Sequence, residues 1–460
     1  MLDIAFIRDD PERVRRGAAR KRIEFDVDRV LALDVERRRR LQVRENAKAE
    51  QNRLGKQVAT LAGASKQEAL ARLKSLKEEV AAADAGVAPV EKELADLMRF
   101  APNPPADDVP DGATDADNVE VRRHGEPPRL EGPPKDHVDL MTARGWLDID
   151  RAGRLGGSRS YILKGEAVLL EQAVLRLGLD LIVARGFTPM SVPVLVREDA
   201  LTGTAYFPGA EEQTYRIQNP TFEDQAAWLV GTSEVSVTAY RAGEILDLAE
   251  LPLRYAGISP CFRREAGTYG KDARGLYRVH QFNKVEQVVV DVADETRSRA
   301  HLEDIVANAE ALLRALEVPY RVVAVCAGDM GRGQVFKYDL EAWMPGRKGY
   351  GETHSASMFF DFQARRLDLR YRDGEGRVRH CHTLNNTVVA TPRILIAVLE
   401  NHQRPDGTVG VPAATIGTSQ ERRTDMGTSG GREDRDPRPP GKPGRRPRVS
   451  SRQIVSRPPR

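Results

Sequence analysis

Between residues 73 and 97 apolar side chains recur at spacings of three and four: Leu73, Leu76, Val80, Ala83, Val87, Val90, Leu94 and Leu97. That narrow stripe predicts a helix packed along a partner helix for about three and a half heptads. Upstream, Leu54, Val58 and Leu61 share one stripe, and no Phe, Tyr or Trp interrupts residues 27–99. The intervening Leu-Ala-Gly-Ala-Ser (61–65) reads as a turn, with Ser65 as the cap of the second helix. The expectation for residues 1–100 is an antiparallel two-helix coiled-coil arm, each helix roughly 50 Å long at 1.5 Å per residue. Pro89 falls inside the second helix and predicts a kink.

Beyond the arm the pattern changes. Residues 101–135 are rich in Pro, Asp and Gly and read as a linker. Residues 136–412 have the make-up of a folded domain. Helices are expected at 165–184 (Leu169, Leu170, Val174, Leu177 and Leu181 on one side), 294–316 and 392–402. Strands are expected at 193–196, 253–259, 278–290 and 367–371. Helices and strands do not alternate regularly, so the fold class is α+β on a mostly antiparallel sheet. Residues 413–460 are low-complexity and net basic, and are expected to be a disordered tail.

Composition narrows the classes. With 71 Lys and Arg against 68 Asp and Glu, the chain is nearly neutral, which excludes a uniformly basic nucleic-acid coat but not a local basic surface. The arm supplies one candidate in Arg37, Arg38, Arg39, Arg40, Arg44, Lys48, Arg53 and Lys56, interleaved with Glu36, Glu45 and Glu50. From pattern alone, gripping a polyanion and forming a dimerising coiled coil both stay open. Three distant cysteines, Cys261, Cys326 and Cys381, exclude a disulfide framework or a cysteine zinc ribbon. His380-Cys381-His382 is an awkward metal set, because neighbours on a strand face opposite ways. No apolar run is long enough for a membrane helix, and acids stand where a secretory leader would be apolar. A cytoplasmic protein is expected.

Phosphate-cradling glycine loops, GxSxG elbows and HExxH helices are absent from the sequence. What stands out is SPCFRREAGTYGKDARGLYRVHQFNKVEQVVV (259–290). Arg263 and Glu265 lie two apart before a glycine-containing loop with Gly267, Gly270, Lys271, Arg274 and Gly275. Arg278, His280, Phe282, Lys284 and Glu286 then recur at period two, predicting one strand face that carries cations, carboxylates and an aromatic ring. Such a face is poor core material unless something satisfies its charges.

This run resembles motif 2 of the class II aminoacyl-tRNA synthetases, in the wording of the seryl-tRNA synthetase family. GFTPMSVPVLV (186–196) is similar to motif 1, with Pro193 at its proline. LVGTSEVSVTAY (229–240) resembles the serine-binding loop, YGETHS (350–355) with DFQARRLDLRYR (361–372) the segment before motif 3, and HTLNNTVVATPRILIAVLENHQ (382–403) motif 3. The resemblance covers residues 1 to about 412. It departs from the usual wording at Asn386 and Pro392, where many relatives have glycine, and in the tail.

The resemblance implies ATP-dependent activation of L-serine and transfer to the 3′ end of serine tRNA, with selenocysteine tRNA left open as a second partner. Catalysis would fall to Arg263, Glu265 and Arg393. ATP-facing positions would be Arg263, Arg264, Glu265, Arg278, Val279, Phe282, Glu352, Thr353, His354, Ser355 and Arg393, with no specified contact for Arg264 and His354. Serine would be held by Thr232, Ser233, Glu234, Arg263, Glu286 and Thr387. Mg²⁺ would sit on Glu352 and Ser355, and tRNA on Arg37, Arg38, Arg40, Arg44 and Lys48. A homodimer through motif 1 is expected. A catalytically silent tRNA-binding paralogue and a ligase charging a carrier protein stay open as alternatives.

Overall fold

The structure is a computed structural model that describes residues 1–218, 222, 226–267 and 274–416. Two long helices, Val27–Val58 and Gly63–Met98, form the arm. Asp26 caps the first by accepting from the Arg29 amide, while Ala62 precedes the second without a side-chain cap. Ser65 is therefore inside the helix and not its cap. Ion pairs link Arg29 to Glu93, Arg37 to Glu91, Arg44 to Asp84 and Arg72 to Glu50. Their descending register makes the helices antiparallel. The helix continues through Pro89, and in the turn before it the Gly86 carbonyl accepts from Arg40 Nη1 at 3.0 Å. A Cβ at Gly86 would stand 2.4 Å from that guanidinium nitrogen, so a side chain there would push Arg40 aside.

At its root the arm shares a core with the rest of the molecule. Val30, Leu33, Leu94 and Met98 pack with Leu2, Ile7 and Val14 of the two short N-terminal helices and with Phe359 and Phe362. The stretch after residue 100, expected as a tether, is held down. Ala101, Ala106 and Val109 are buried, and Asn103 bonds through its amide to Arg332 O and through Nδ2 to Gly333 O and Phe359 O. Prolines here preset an extended backbone with few donors to satisfy, so the segment packs without regular structure.

The body is built on a sheet that, among the described residues, has eight strands. Their order is Val119–His124, Tyr320–Ala324, Phe336–Met344, Gly349–Phe360, His382–Ala390, Gln281–Asp291, Leu253–Phe262 and Thr188–Ser191. Every pairing is antiparallel except the last, so the expected α+β class holds. Helices Glu166–Val183, Glu295–Ala315 and Thr391–Asn401 cover one face, with Val174, Ile305, Leu312, Val389 and Ile394 in the core between. Gly178 sets the approach of the first, since a Cβ would stand 2.4 Å from Val389 Cγ2. The opposite face of the central strands is open.

Some expected bounds shift. The strand expected at 278–290 begins at Gln281, that at 193–196 becomes Leu195–Arg197, and residues 362–367 are helical before the strand Arg370–Arg372. Order extends past residue 412: helix Ala413–Ile416 packs on Glu166–Val183, with Thr415 buried. The tail expectation for 417–460 lies outside the described residues. Among the described residues no helix is long and apolar enough to cross a membrane.

Candidate functional site

The open face is assembled from the hairpin of Leu253–Phe262 and Gln281–Asp291. Gly257 pairs with Glu286, Ser259 with Lys284 and Cys261 with Phe282. Alternation along the second strand then aims Phe282, Lys284 and Glu286 into one cleft. The expected period-two run does not extend back to His280, because the backbone is bent before Gln281. The His280 ring stands 2.9 Å from Arg263 O and edge-on to Tyr215, on the far side. Arg278 nevertheless reaches the cleft rim, with Nη1 3.3 Å from Glu265 Oε2. Gly270 and Lys271 of the motif 2 loop lie outside the described residues.

Two β-bulges complete the face. Glu341 opposes Glu352 and Leu340 opposes His354, so Thr353 is an extra residue in its strand. Glu352 and Ser355, three apart, would face opposite ways on a regular strand; the bulge brings both to the cleft. It also turns His354 inward, where Nε2 meets Val388 O at 2.9 Å and burial lowers the ring to about 4. A second bulge, between Thr387 and Val389, brings Thr387 and Ala390 to the same side.

The deeper part of the cleft is a polar cavity of about 430 Å³ bordered by Thr232, Glu234, Lys284, Glu286, Asn385 and Thr387. Lys284 Nζ donates to Thr232 Oγ1 at 2.5 Å and pairs with Glu286. Glu234 accepts from Tyr206 Oη at 2.9 Å and Gln363 Nε2 at 2.8 Å. Burial and then the neighbouring Glu286 charge push Glu234 up to about 7, despite those bonds and Lys284. Ser233, expected in this pocket, turns instead to the sheet and donates to Gly257 O. Its approach needs Gly257, where a Cβ would stand 2.7 Å from Ser233 Oγ.

Beside this cavity lies a slot lined by Tyr277, Val279, Phe282, Glu352, Ser355 and Arg393, opening into a cleft of about 860 Å³. Arg393 sits at the start of helix Thr391–Asn401, 3.1 Å from Glu352 Oε2 and over the Tyr277 ring. Desolvation opposes the Glu352 charge, but Arg393, Lys337 and Arg263 prevail and hold it at about 2. Arg263 borders the cavity, the slot and the open cleft alike. Its Nε donates to Gly231 O at 3.3 Å and its guanidinium carbon lies 5.3 Å from the Phe282 ring. Arg264 is exposed and borders none of these spaces. The Thr353 hydroxyl is engaged by Leu340 O.

Glu352 and Ser355 give a carboxylate and a hydroxyl on one face, hard oxygen donors of the kind Mg²⁺ takes. Among the described residues no group of three His, Cys, Asp or Glu side chains could hold a metal. This donor set therefore fits an ion that completes its shell with phosphate and water oxygens. The His380-Cys381-His382 reading fails on the same ground; Cys381 is buried and His382 Nδ1 meets Ser298 Oγ. On the arm, Arg37, Arg38, Arg40 and Arg44 each pair with a carboxylate of the arm itself. Lys48 projects from the same helix.

Sequence reasoning left Lys284, Tyr206 and Gln363 out of the site. Lys284 carried a signal, its place in the period-two run. Tyr206 and Gln363 reach Glu234 from segments 28 and 129 residues away, and no local pattern marks them.

An antiparallel sheet with arginines and an aromatic ring on its open face, and no phosphate loop, is the core of a class II aminoacyl-tRNA synthetase. Residues 215–402 match the model of the tRNA synthetase class II core domain (G, H, P, S and T), and residues 1–105 that of the seryl-tRNA synthetase N-terminal domain. The serine–tRNA ligase of Deinococcus radiodurans is 45% identical over 414 residues, covering 90% of this chain and 96% of its own. Seryl-tRNA synthetase from Pyrococcus horikoshii, solved in complex with ATP, superposes with a TM-score of 0.84 at 38% identity, covering 90% of this chain and 97% of that one. The cytoplasmic serine–tRNA ligase of Naegleria fowleri, solved with AMP, gives 0.81 at 31%, covering 91% and 97%. The chain belongs to the seryl-tRNA synthetase family.

Proposed function

We propose that this chain activates L-serine with ATP and passes the seryl group to the 3′ end of serine tRNA. One observation carries the reading: Arg263 stands where the polar cavity meets the slot. A serine in the cavity and a nucleotide in the slot would bring carboxylate and α-phosphate together at that guanidinium. A carboxylate oxygen attacks the α-phosphorus and pyrophosphate leaves. No proton need move, so placing the two anions and screening their repulsion is the main task. A permanently charged planar fork suits it.

In the cavity Glu234 and Glu286 would take the substrate ammonium and hydroxyl, with Thr232 and Thr387 completing the shell. Alanine would leave those buried groups unpaired and be rejected strongly. In the slot Phe282 offers a face to adenine, Glu265 and Val279 flank it, and Arg393 faces the distal phosphates. Glu352 and Ser355 would hold a magnesium ion, which when bound supplies positive charge against the phosphate oxygens. In the second step a hydroxyl of the terminal ribose attacks the acyl carbonyl and AMP leaves. The arm, through Arg37, Arg38, Arg40, Arg44 and Lys48, would hold the body of the tRNA. The active form would be a cytoplasmic homodimer. The domain plan that serves this reading is an arm at 1–100, a connector at 101–135 and a catalytic body from 136.

The test is ATP–pyrophosphate exchange screened over serine, threonine, alanine and glycine, followed by charging of serine tRNA. Serine alone should support rapid exchange, and the tRNA should be charged. Exchange driven equally by threonine or alanine would overturn the assignment of the cavity, and exchange without charging would favour a carrier-protein ligase.

A further inference from the structure

The polar cavity has a second end that the reaction above leaves unused. Its rim is formed by Ile23, from the N-terminal segment, and by residues 331–334, with Arg332 among them. Arg332 Nε and Nη1 are buried and without a hydrogen-bond partner, and its guanidinium carbon lies 5.2 Å from the Phe100 ring at the arm root. Arg366 stands nearby with its own Nε unpartnered; its other nitrogens bond only carbonyl oxygens, those of Thr202, Phe207 and Arg99. Burial, then the charges of Arg332 and Arg99, lower Arg366 to about 10. Guanidinium groups in proteins usually meet carboxylates, as the arm shows. Here cations cluster with vacant donors, and Glu211 is the carboxylate whose charge acts on Arg332 without a hydrogen bond to its Nε or Nη1.

The loop that carries Arg332 is fixed in place. Lys21, buried at the end of helix Pro11–Arg20, donates to Gly331 O at 2.9 Å, to Arg332 O at 3.1 Å and to Gln334 O. Asn103 N also donates to Arg332 O, and Gln334 accepts from the Gly331 amide while donating to Ser357 Oγ. The N-terminal segment thus sets the position of a cation at the mouth of the cavity.

The two ends of the cavity have opposite character. Its depth holds Glu234 and Glu286 and suits an ammonium group, whereas its rim offers guanidinium donors and suits an anion. Apart from the serine carboxylate, which Arg263 takes, the reaction offers two further anions: a phosphodiester of the tRNA acceptor end, and pyrophosphate or ATP. The nucleotide slot lies on the other side of Arg263 and does not include Arg332. Resting on the function proposed above, we infer that Arg332 is a positioning residue that receives a phosphodiester of the tRNA acceptor end as the terminal ribose reaches the cavity. Arg366 and Arg99 supply the supporting field.

The experiment uses the full-length R332Q and R332K proteins. In R332Q, serine-dependent exchange and the KM for serine stay within two-fold of the parent. The KM for tRNA in charging rises about ten-fold, with R332K recovering most of the loss. The salt dependence of that KM, as a log–log slope, falls by about 0.7, the value for one single-strand phosphate contact. A structural role alone would not move the salt slope. An unchanged tRNA KM and slope overturns the inference. Loss of exchange with a raised KM for pyrophosphate or ATP also overturns it, since the anion is then the nucleotide's. If the parent protein shows no serine-dependent exchange, the underlying function falls, a result read before any variant is made.

Discussion

The arm and the cleft both carry dense charge, yet they use it differently. On the arm, Arg37 and Glu91, or Arg72 and Glu50, meet at a water-facing surface with a third or more of each side chain exposed. Solvent screens such pairs, and either partner can leave at little cost. In the cleft the Lys284 and Glu286 side chains are 4% and 3% exposed. Glu234 lies beside them with its carboxyl held near 7 by burial. Removing one member of such a buried set strands the other, at a cost of about 3–5 kcal/mol. Counting charges along the sequence would rank the arm first. Burial reverses the ranking for the chemistry, and leaves the arm a surface to be read as a whole.

That contrast can be broken most directly at Arg263. R263A should reduce serine-dependent pyrophosphate exchange roughly a thousand-fold, as for loss of a group that stabilises developing charge. Its thermal unfolding should remain cooperative. Near-parental exchange would show that the junction of cavity and slot is not where the reaction occurs.

A smaller effect sharpens the account of the buried carboxylates. With Glu234 near 7, lowering the pH from 8 to 6 adds a proton to it and removes a partner for the substrate ammonium. The KM for serine should rise about ten-fold over that interval if binding needs the ionised form. E234Q should bind serine weakly, with a flat profile across the same range. The sign for stability is opposite to that of a paired carboxylate. The folded value lies above the usual 4.5, so this carboxyl costs stability progressively as pH rises from 4.5 to 7, and fully above 7.

The smallest change is expected on the arm. R37A breaks one exposed pair and should shift the melting temperature by no more than about 2 °C. Exchange should stay at the parental rate and the KM for tRNA should rise only a few-fold. A melting shift as large as one from the cleft would mean that the arm's ion pairs are structural staples rather than a screened surface.

Much of this architecture was legible from spacing. The three-four alternation from Leu73 to Leu97 located the second arm helix, and the period-two run located Phe282, Lys284 and Glu286 on one face. Where local pattern misled, a backbone feature intervened. The period-two extrapolation to His280 failed because the strand starts only at Gln281. The grouping of Glu352 with Ser355 came from motif resemblance, and no simple strand period yields it. The extra residue at Thr353 makes it possible and also buries His354. Ser65 looked like a cap, but the helix starts two residues earlier.

The sequence by itself determined the long helices and the main strands, and which residue types gather along the arm and on the cleft strand. Periodicity and side-chain chemistry are properties of neighbours along the chain. Only the tertiary structure decided which charges are buried and which are screened. Glu234 is perturbed because distant segments bury it beside Glu286, against the pull of its hydrogen bonds from Tyr206 and Gln363, and two guanidinium nitrogens of Arg332 stay unpartnered on a loop that Lys21 and Asn103 hold at the cavity rim. Desolvation depends on everything that surrounds a group in space, and sequence order does not encode that surrounding locally.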